Sequence, residues 1–267
     1  LQKELEPAFV AVVFDAPGRT FRDDLFAEYK AHRPPMPDDL KAQTGPLIEA
    51  VEALGLPLLR VEGVEADDVI GTLAGRAARE GLRVVISTGD KDMAQLVNDR
   101  ISLVNTMTGS SLDRAGVKIK FDVYPEQIVD YLALVGDASD NIPGVPKVGP
   151  KTAARWLNQY TTVDNLLEHQ GEIEGKVGES LRAHTSDLAL SRQLATINCD
   201  LDLTLQPGDL KPTAPDVERL RALYSRLELR SLLKQLQGDK SSSVLAPPPS
   251  HADAGERRLE PAEGAAI

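Results

Sequence analysis

The 267-residue chain contains one cysteine, Cys199, and only four histidines, His32, His169, His184 and His251, scattered along it. One thiol excludes an internal disulfide, and no Cys/His set has the spacing of a zinc site. No apolar run approaches the roughly 20 residues that a membrane-spanning helix needs, and the opening LQKELEPAFVAVVF lacks the charged and apolar regions of a signal peptide. A cytoplasmic setting without membrane contact is the default that follows. Positive charge is also short: 30 Lys and Arg stand against 41 Asp and Glu, a net of −11. On its face that balance argues against a nucleic-acid partner.

The excess acid is not spread evenly. Asp15 in VAVVFDAPG, Glu65, Asp67 and Asp68 in VEGVEADDVIG, Asp90 and Asp92 in VVISTGDKDMA, and Asp137 and Asp140 in LVGDASDNIPG form four clusters. Subtracting these eight from the net of −11 leaves −3, so the remaining surface is nearly balanced and the net charge does not veto DNA or RNA. Like charges about 4 Å apart repel by roughly 4 kcal/mol at an effective dielectric near 20. A set of this kind therefore reads as a site for cations.

With 42% hydrophobic residues the chain can bury a full core, as one large domain or two coupled ones. Residues 8–106 alternate apolar runs, Phe9–Phe14, Leu58–Val61, Val84–Ser87 and Ile101–Asn105, with amphipathic stretches at 21–31, 39–54 and 66–80. This is the pattern of an α/β fold with a mainly parallel sheet flanked by helices. From about residue 122 helices dominate, predicted at 125–135, 150–158, 162–169, 177–194, 215–227 and 229–237. Residues 239–267 are Ser, Pro, Ala and charge without periodicity and read as a disordered linker leading toward a further region. The expected division is 1–121, 122–238 and 239–267.

Each acidic cluster has a structural reading of its own. Asp67 and Asp68 open a predicted helix and complement its dipole, Asp90 can cap the next helix, and Asp15, Asp137 and Asp140 suit turns. Placement shifts the balance. Asp15, the 65–68 cluster and the 90–92 pair each follow a strand, so all would lie at the carboxyl edge of a parallel sheet, where open α/β sheets bind ligands. Oxygen donors without His or Cys suit Mg²⁺ or Mn²⁺, and several shared carboxylates suit two or more ions. Paired ions of this kind stabilise attacking and leaving oxygens in phosphoryl displacement, which points to phosphodiester hydrolysis.

The segment NIPGVPKVGPKTAARWL approaches G-x4-G-K-[ST], but Pro150 interrupts it and a helix rather than a strand precedes it. Pro150 fits the first position of a helix instead, giving a helix, a glycine-bearing hairpin and a second helix. Such a hairpin is either a plain helical turn or a device that aims amides near Gly144–Gly149 at a phosphate, with Lys147 and Lys151 adding charge. In RTFRDDLFAEYKAHRPPMP, Arg22, Phe26, Tyr29, Lys30 and Arg33 fall on one helical stripe. That stripe is either a solvated basic face or a flap that meets a scissile phosphate through Arg22 and Lys30.

Together VFDAPGRTFR, YKAHRPPMP, EGVEADDVIGTLA, STGDKDMAQLV, YLALVGDASDNIPGVPKVGPKTA and LSRQLATI resemble the 5′-nuclease domain of bacterial DNA polymerase I, in the flap endonuclease family, over about residues 8–237. The resemblance implies a PIN-like α/β core, a helical arch at about 20–40, and a helix-three-turn-helix DNA clamp at about 136–158 that also holds K⁺. It implies a metal-dependent 5′-3′ exonuclease and structure-specific flap endonuclease of primer removal and repair, monomeric, with polymerase domains in cis. The site residues it implies are Asp15, Glu65, Asp67, Asp68, Asp90, Asp92, Asp137 and Asp140 for metal. Arg22 and Lys30 would meet the scissile phosphate, and Arg33, Gly144, Val145, Lys147, Gly149, Lys151 and Thr152 would bind flap, nicked or 5′-ended duplex DNA. The family begins with a strand ending in a further metal-binding Asp, and nothing of the kind precedes Leu1. The expectation is therefore an acid set one strand and one aspartate short, with a non-catalytic DNA-structure-binding fragment as the alternative. A PIN-type ribonuclease shares the acids but leaves the glycine hairpin without a role.

Overall fold

In the computed structural model residues 2–238 are described; the linker predicted at 239–267 lies outside them. Two compact units are present, residues 1–216 and a second that starts at Val217. The first begins with α1 (Gln2–Leu5), β1 (Val12–Val13), α2 (Phe21–Leu25), α3 (Asp38–Ala53), β2 (Leu58–Leu59) and α4 (Ala66–Arg79). Then come β3 (Val84–Ser87), β4 (Ile101–Asn105), β5 (Ser110–Leu112) and α5 (Arg114–Phe121). Five helices follow: α6 (Ile128–Val135), α7 (Pro150–Tyr160), α8 (Val163–Glu168), α9 (Gly175–Ala183) and α10 (Thr185–Ala195). The second unit contains α11 (Val217–Arg226) and α12 (Arg230–Gly238).

The sheet is in two hydrogen-bonded pieces. β1 pairs parallel with β2, Val12 opposite Leu58. β3 pairs parallel with β4, Val84 opposite Ile101, and β5 closes that piece antiparallel, Leu103 opposite Leu112. β3 and β4 occupy the runs expected from their β-branched content. β1 and β2 are shorter than their apolar runs, although Val10 N–H still reaches Leu210 O at 2.8 Å. The hairpin partner β5 and the helix α5 carry little apolar signal and were not anticipated.

α4 packs on both pieces. Val69 and Leu73 join Leu210 against Val13, Leu59 and Val61, while Ala74 faces the larger core of Ile86, Met93, Leu103, Leu134 and Leu157. Its ends obey helix electrostatics, with Asp67 and Asp68 in the first turn and Arg76 and Arg79 in the last. The larger core continues without interruption into α6, α7 and α10, so burial of Leu132, Leu134, Leu157, Leu188 and Leu194 fastens the helical half to the sheet.

Two departures bear on function. The helix predicted over 21–31 ends at Leu25. Phe26 turns extended and Lys30 sits at φ 54, so the basic stripe is unwound into a series of turns. The 177–194 helix divides at His184 into α9 and α10.

The glycine hairpin between α6 and α7 forms as expected, with Pro150 at the first position of α7. Gly136 adopts φ +76, and a Cβ on Gly144 would stand 2.4 Å from Val135 O, so at this crossing the two backbone strands touch. Gly144→Ala is expected to cost about 1–3 kcal/mol through overpacking. Thermal denaturation should show a melting temperature several degrees below that of the wild type.

Candidate active site

Asp15, Glu65, Asp67, Asp90, Asp92 and Asp140 line one cavity of about 140 Å³ together with Arg22, Tyr29, Lys30 and Arg33. Strand ends supply the first five, since β1 leads to Asp15, β2 to the 65–67 cluster and β3 to the 90–92 pair. Asp140 arrives from the helical half, on the turn after α6. Several acids are anchored by the backbone amides that follow them. Asp15 Oδ1 accepts Ala66 N–H at 2.8 Å, and Asp90 Oδ1 accepts Asp92 N–H at 2.8 Å. The Asp90 contact closes a local turn rather than a cap, since the short helix Asp92–Leu96 has Lys91 at its N-cap position and no side-chain capping bond.

Two of the eight predicted acids do not line this cavity. Asp68 is fully buried and accepts four hydrogen bonds, from Arg22 Nη1 and Nη2 at 2.7 and 2.8 Å, Glu65 N–H at 3.1 Å and Asn198 N–H at 2.8 Å. Asp137 pairs with Lys91 at 2.7 Å and accepts both the amide and the hydroxyl of Ser139. Burial alone would raise its pKa, but Lys91 and Ser139 outweigh burial and hold it down at about 2. The sequence places both residues in the right clusters and does not reveal that their neighbours claim them.

Arg22 is likewise engaged by its neighbours. Expected to meet a phosphate, it is 2% exposed, and all three of its nitrogens are engaged. Besides Asp68, Nε donates to Leu194 O at 2.9 Å and Nη2 to Thr196 O at 2.7 Å. Its guanidinium belongs to the cavity wall. Lys30 is the more available cation, with Nζ 2.5 Å from Glu65 Oε1 and 3.7 Å from Asp140 Oδ2. Arg33 pairs with the other Asp140 oxygen. The left-handed backbone at Lys30 turns this side chain toward the acids, and its N–H bonds Asp140 O at 2.9 Å.

Tyr29 was not among the candidates. Its buried hydroxyl lies 3.2 Å from Glu65 Oε2 and 3.3 Å from Asp140 Oδ2, bridging a carboxylate of the sheet to one of the helical half. Burial and these two carboxylates push the phenol far above its ordinary pKa. Its position beside Lys30 was the available signal. Leu194, Ala195 and Ile197 also wall the cavity, from the LSRQLATI segment.

Burial and the crowding of like charge both favour the protonated form of two of these acids. Asp67 is pushed up to about 6 by burial and then by Asp90, Glu65 and Asp15. Asp92 rises to about 7 through burial and Asp90. Among the described residues, Asp92 Oδ1 is buried without a hydrogen-bond partner. An all-oxygen donor set, an orphaned carboxylate oxygen and mutually repelling acids fit a hard cation. As the side chains stand, no three His, Cys, Asp or Glu among the described residues converge closely enough to hold an ion. Lys30 and Lys91 supply the opposing charge instead.

In the hairpin, Lys147, at φ 71, and Lys151 are exposed, and Gly149 caps α7 by accepting Thr152 N–H at 3.0 Å. Val145 departs from its expected role. It is 2% exposed, and its N–H is held by Leu134 O at 2.9 Å, so it anchors the turn from within.

Comparison with known proteins agrees with this arrangement. The family described as 5′-3′ exonuclease, N-terminal resolvase-like domain, matches residues 1–122, and the family described as 5′-3′ exonuclease, C-terminal SAM fold, matches residues 123–218. The 5′-3′ exonuclease of Aquifex aeolicus is 42% identical over 88% of this chain and 81% of its own length. DNA polymerase I of Pseudomonas aeruginosa is 54% identical over 88% of this chain, which spans 27% of that protein. Among solved structures, T5 5′-exonuclease with divalent metal ions (zinc) bound is similar at TM-score 0.65 and 20% identity, covering 89% of this chain and 86% of that one. The catalytic core of Rad2 in complex with DNA substrate is similar at 0.52 and 16%, covering 81% and 73%. The chain belongs to the 5′-3′ exonuclease family, a family of nucleases, and combines its α/β resolvase-like half with a helical SAM-like half.

Two outcomes are expected. Arg22→Met leaves Asp68 charged and buried without its partner, which should cost about 3–5 kcal/mol and be measurable by denaturant unfolding. In the second, the raised pKa values of Asp67 and Asp92 mean that the folded state binds more protons than the unfolded one between the ordinary 3.8 and about 6–7. Stability in EDTA should therefore fall as pH rises through that window, and Asp67→Asn/Asp92→Asn should flatten the decline.

Proposed function

We propose that this chain is a divalent-metal-dependent 5′-3′ exonuclease and structure-specific flap endonuclease that hydrolyses DNA phosphodiesters in primer removal and repair. The observation that carries this reading is one cavity in which six carboxylates from both halves of the first unit meet Lys30 and Arg33. Asp15, Glu65, Asp67, Asp90, Asp92 and Asp140 would hold two or more Mg²⁺ or Mn²⁺ ions, with Asp68 and Asp137 supporting them from behind. When bound, such ions supply a more acidic attacking water and neutralise charge on the departing oxygen.

The chain's own residues do the rest. Lys30 and Arg33, now paired with Glu65 and Asp140, offer two cations to an incoming phosphate. Tyr29 stands between Glu65 and Asp140 and donates its one proton to either of them. The hairpin from Gly144 to Thr152 presents Lys147 and Lys151 to a duplex backbone, a contact that reads position rather than sequence, with K⁺ as a further occupant there. The similar T5 structures, which were obtained with metal ions and with DNA, and the Rad2 core in complex with DNA substrate support this choice of substrate and cofactor. We further propose a monomer of the cytoplasm in which polymerase domains share the chain, as in the polymerase it matches. Among the described residues no helix is long and apolar enough to cross a membrane.

A second reading is favoured by the internal pairing of the acids with Lys30 and Lys91. It is a module that binds branched or nicked DNA without cutting it.

A labelled flap duplex separates the two. With Mg²⁺ the chain should release the flap, EDTA should abolish release, and Asp67→Ala should slow it by roughly 10²–10³-fold, the scale of losing one electrostatic stabiliser. Full-rate cleavage by Asp67→Ala would sink the metal assignment. Binding without cleavage in Mg²⁺ would establish the second reading.

A further inference from the structure

The LSRQLATI segment lines the cavity, and it is tied to its surroundings at both ends, through the side chain of Ser191 at one and through its own backbone at the other. At one end Ser191, with no exposed surface, aims its hydroxyl at Pro143 O, 2.5 Å away, with Asp187 O at 2.9 Å as the alternative acceptor. Pro143 opens the glycine hairpin. The hairpin's second proline is gripped in the same fashion from α9, where Ser180 Oγ donates to Pro146 O at 2.6 Å. On its opposite side the hairpin is tied to α6 by Val145 N–H to Leu134 O.

Four residues further on, α10 ends and the chain becomes extended. Over Leu194 to Asn198 every residue has a backbone group bonded to a side chain from the acid-bearing half. Arg22 takes Leu194 O and Thr196 O. Gln95 donates to Ala195 O at 3.0 Å and accepts Ile197 N–H at 2.9 Å. Asp68 accepts Asn198 N–H at 2.8 Å, and Thr72 donates to Asn198 O at 3.2 Å. Close packing adds to this, since a Cβ at Gly71 would stand 2.7 Å from Ile197 Cγ2. Backbone at a helix end that is fastened by charged and polar side chains, Arg22, Asp68 and Thr72 among them buried, has few alternative positions, because each displacement would strand a polar group away from water.

One continuous segment of eight residues thus grips the hairpin through Ser191 and is itself gripped beside the cavity. We propose that Ser191–Asn198 is a spacer that fixes the distance between the duplex-binding hairpin and the acid cavity, and thereby which phosphodiester is cut, with Ser191 as its positioning residue. The inference rests on the nuclease reading above. Phosphates along one strand are about 3.4 Å apart in axial rise, so slack of that size at the hairpin shifts the cut by one nucleotide.

Ser191→Ala tests it, with Ser191→Cys as a variant of similar shape that keeps a weak donor. Hydrogen exchange of the unliganded chain comes first. Ser191→Ala should accelerate the Val145 and Val148 amides by roughly tenfold, leave Leu157 in α7 unchanged, and place Ser191→Cys between it and wild type. On a flap duplex with Mg²⁺, Ser191→Ala should raise the share of product cut one nucleotide away by about fivefold. KM should rise by a similar factor while kcat stays within about threefold, since the reacting groups are untouched. Unchanged product lengths in a cleaving Ser191→Ala enzyme, or exchange accelerated evenly through the fold, would overturn the proposal. A wild-type chain that does not cut would refute the nuclease reading instead, and the exchange measurement would still decide whether Ser191 holds the hairpin.

Discussion

The pairing of Arg22 with Asp68 is the contact on which the site depends. It brings together three stretches of chain with no sequence proximity: α2, the first turn of α4, and the segment after α10. A buried ion pair contributes little net stability compared with an apolar pair of similar volume, because desolvation offsets most of the attraction. Its effect here is geometric. The planar guanidinium meets both carboxylate oxygens and two carbonyls in fixed directions, so the three stretches meet in one relative arrangement.

Around this pair the acids divide into two populations. Asp68 and Asp137 have their charge answered by Arg22 and Lys91. Asp67 and Asp92 are screened from water and face mainly other carboxylates, and burial first, then that crowding, raises their affinity for protons. The division follows from geometry rather than residue type. A carboxylate whose lone pairs are filled from behind serves as scaffold, and one whose lone pairs face its own kind is left with unsatisfied capacity for positive charge. Asp92 Oδ1 is the clearest instance.

Much of this was legible in the sequence, and the limits have physical causes. Placing acids after three strands requires only strand order and polarity, which hydrophobic runs encode well, so the convergence of five of them was foreseeable, while Asp140 arrives on a turn of the helical half. Which acids would be taken up by neighbours was not, because Arg22 and Asp68 are 46 residues apart and their pairing depends on tertiary packing. The helical stripe over 21–33 misled for a related reason. Its periodicity is real, but Tyr29, Lys30 and Arg33 form stronger contacts with Glu65 and Asp140 than a helix would permit, so local preference gives way. The burial of Val145 was not legible because a glycine turn looks exposed in sequence while this one folds back against α6. β5 and α5 were missed because SSL and RAGVKIKF carry too little apolar pattern to be recognised.

The segment from Leu194 to Asn198 contributes mostly carbonyls and amides to its polar contacts, groups that nearly every amino acid carries. The side chains that reach it, from Arg22, Asp68, Thr72 and Gln95, are chemically specific. Tolerance to substitution should therefore be inverted relative to appearance. Thr196 lies in the middle of this stretch and Asn198 at its end, and both can change with little effect on those backbone bonds, whereas four residues remote in sequence cannot. A backbone secured in this way hides its importance from its own sequence and records it in the sequence of its neighbours.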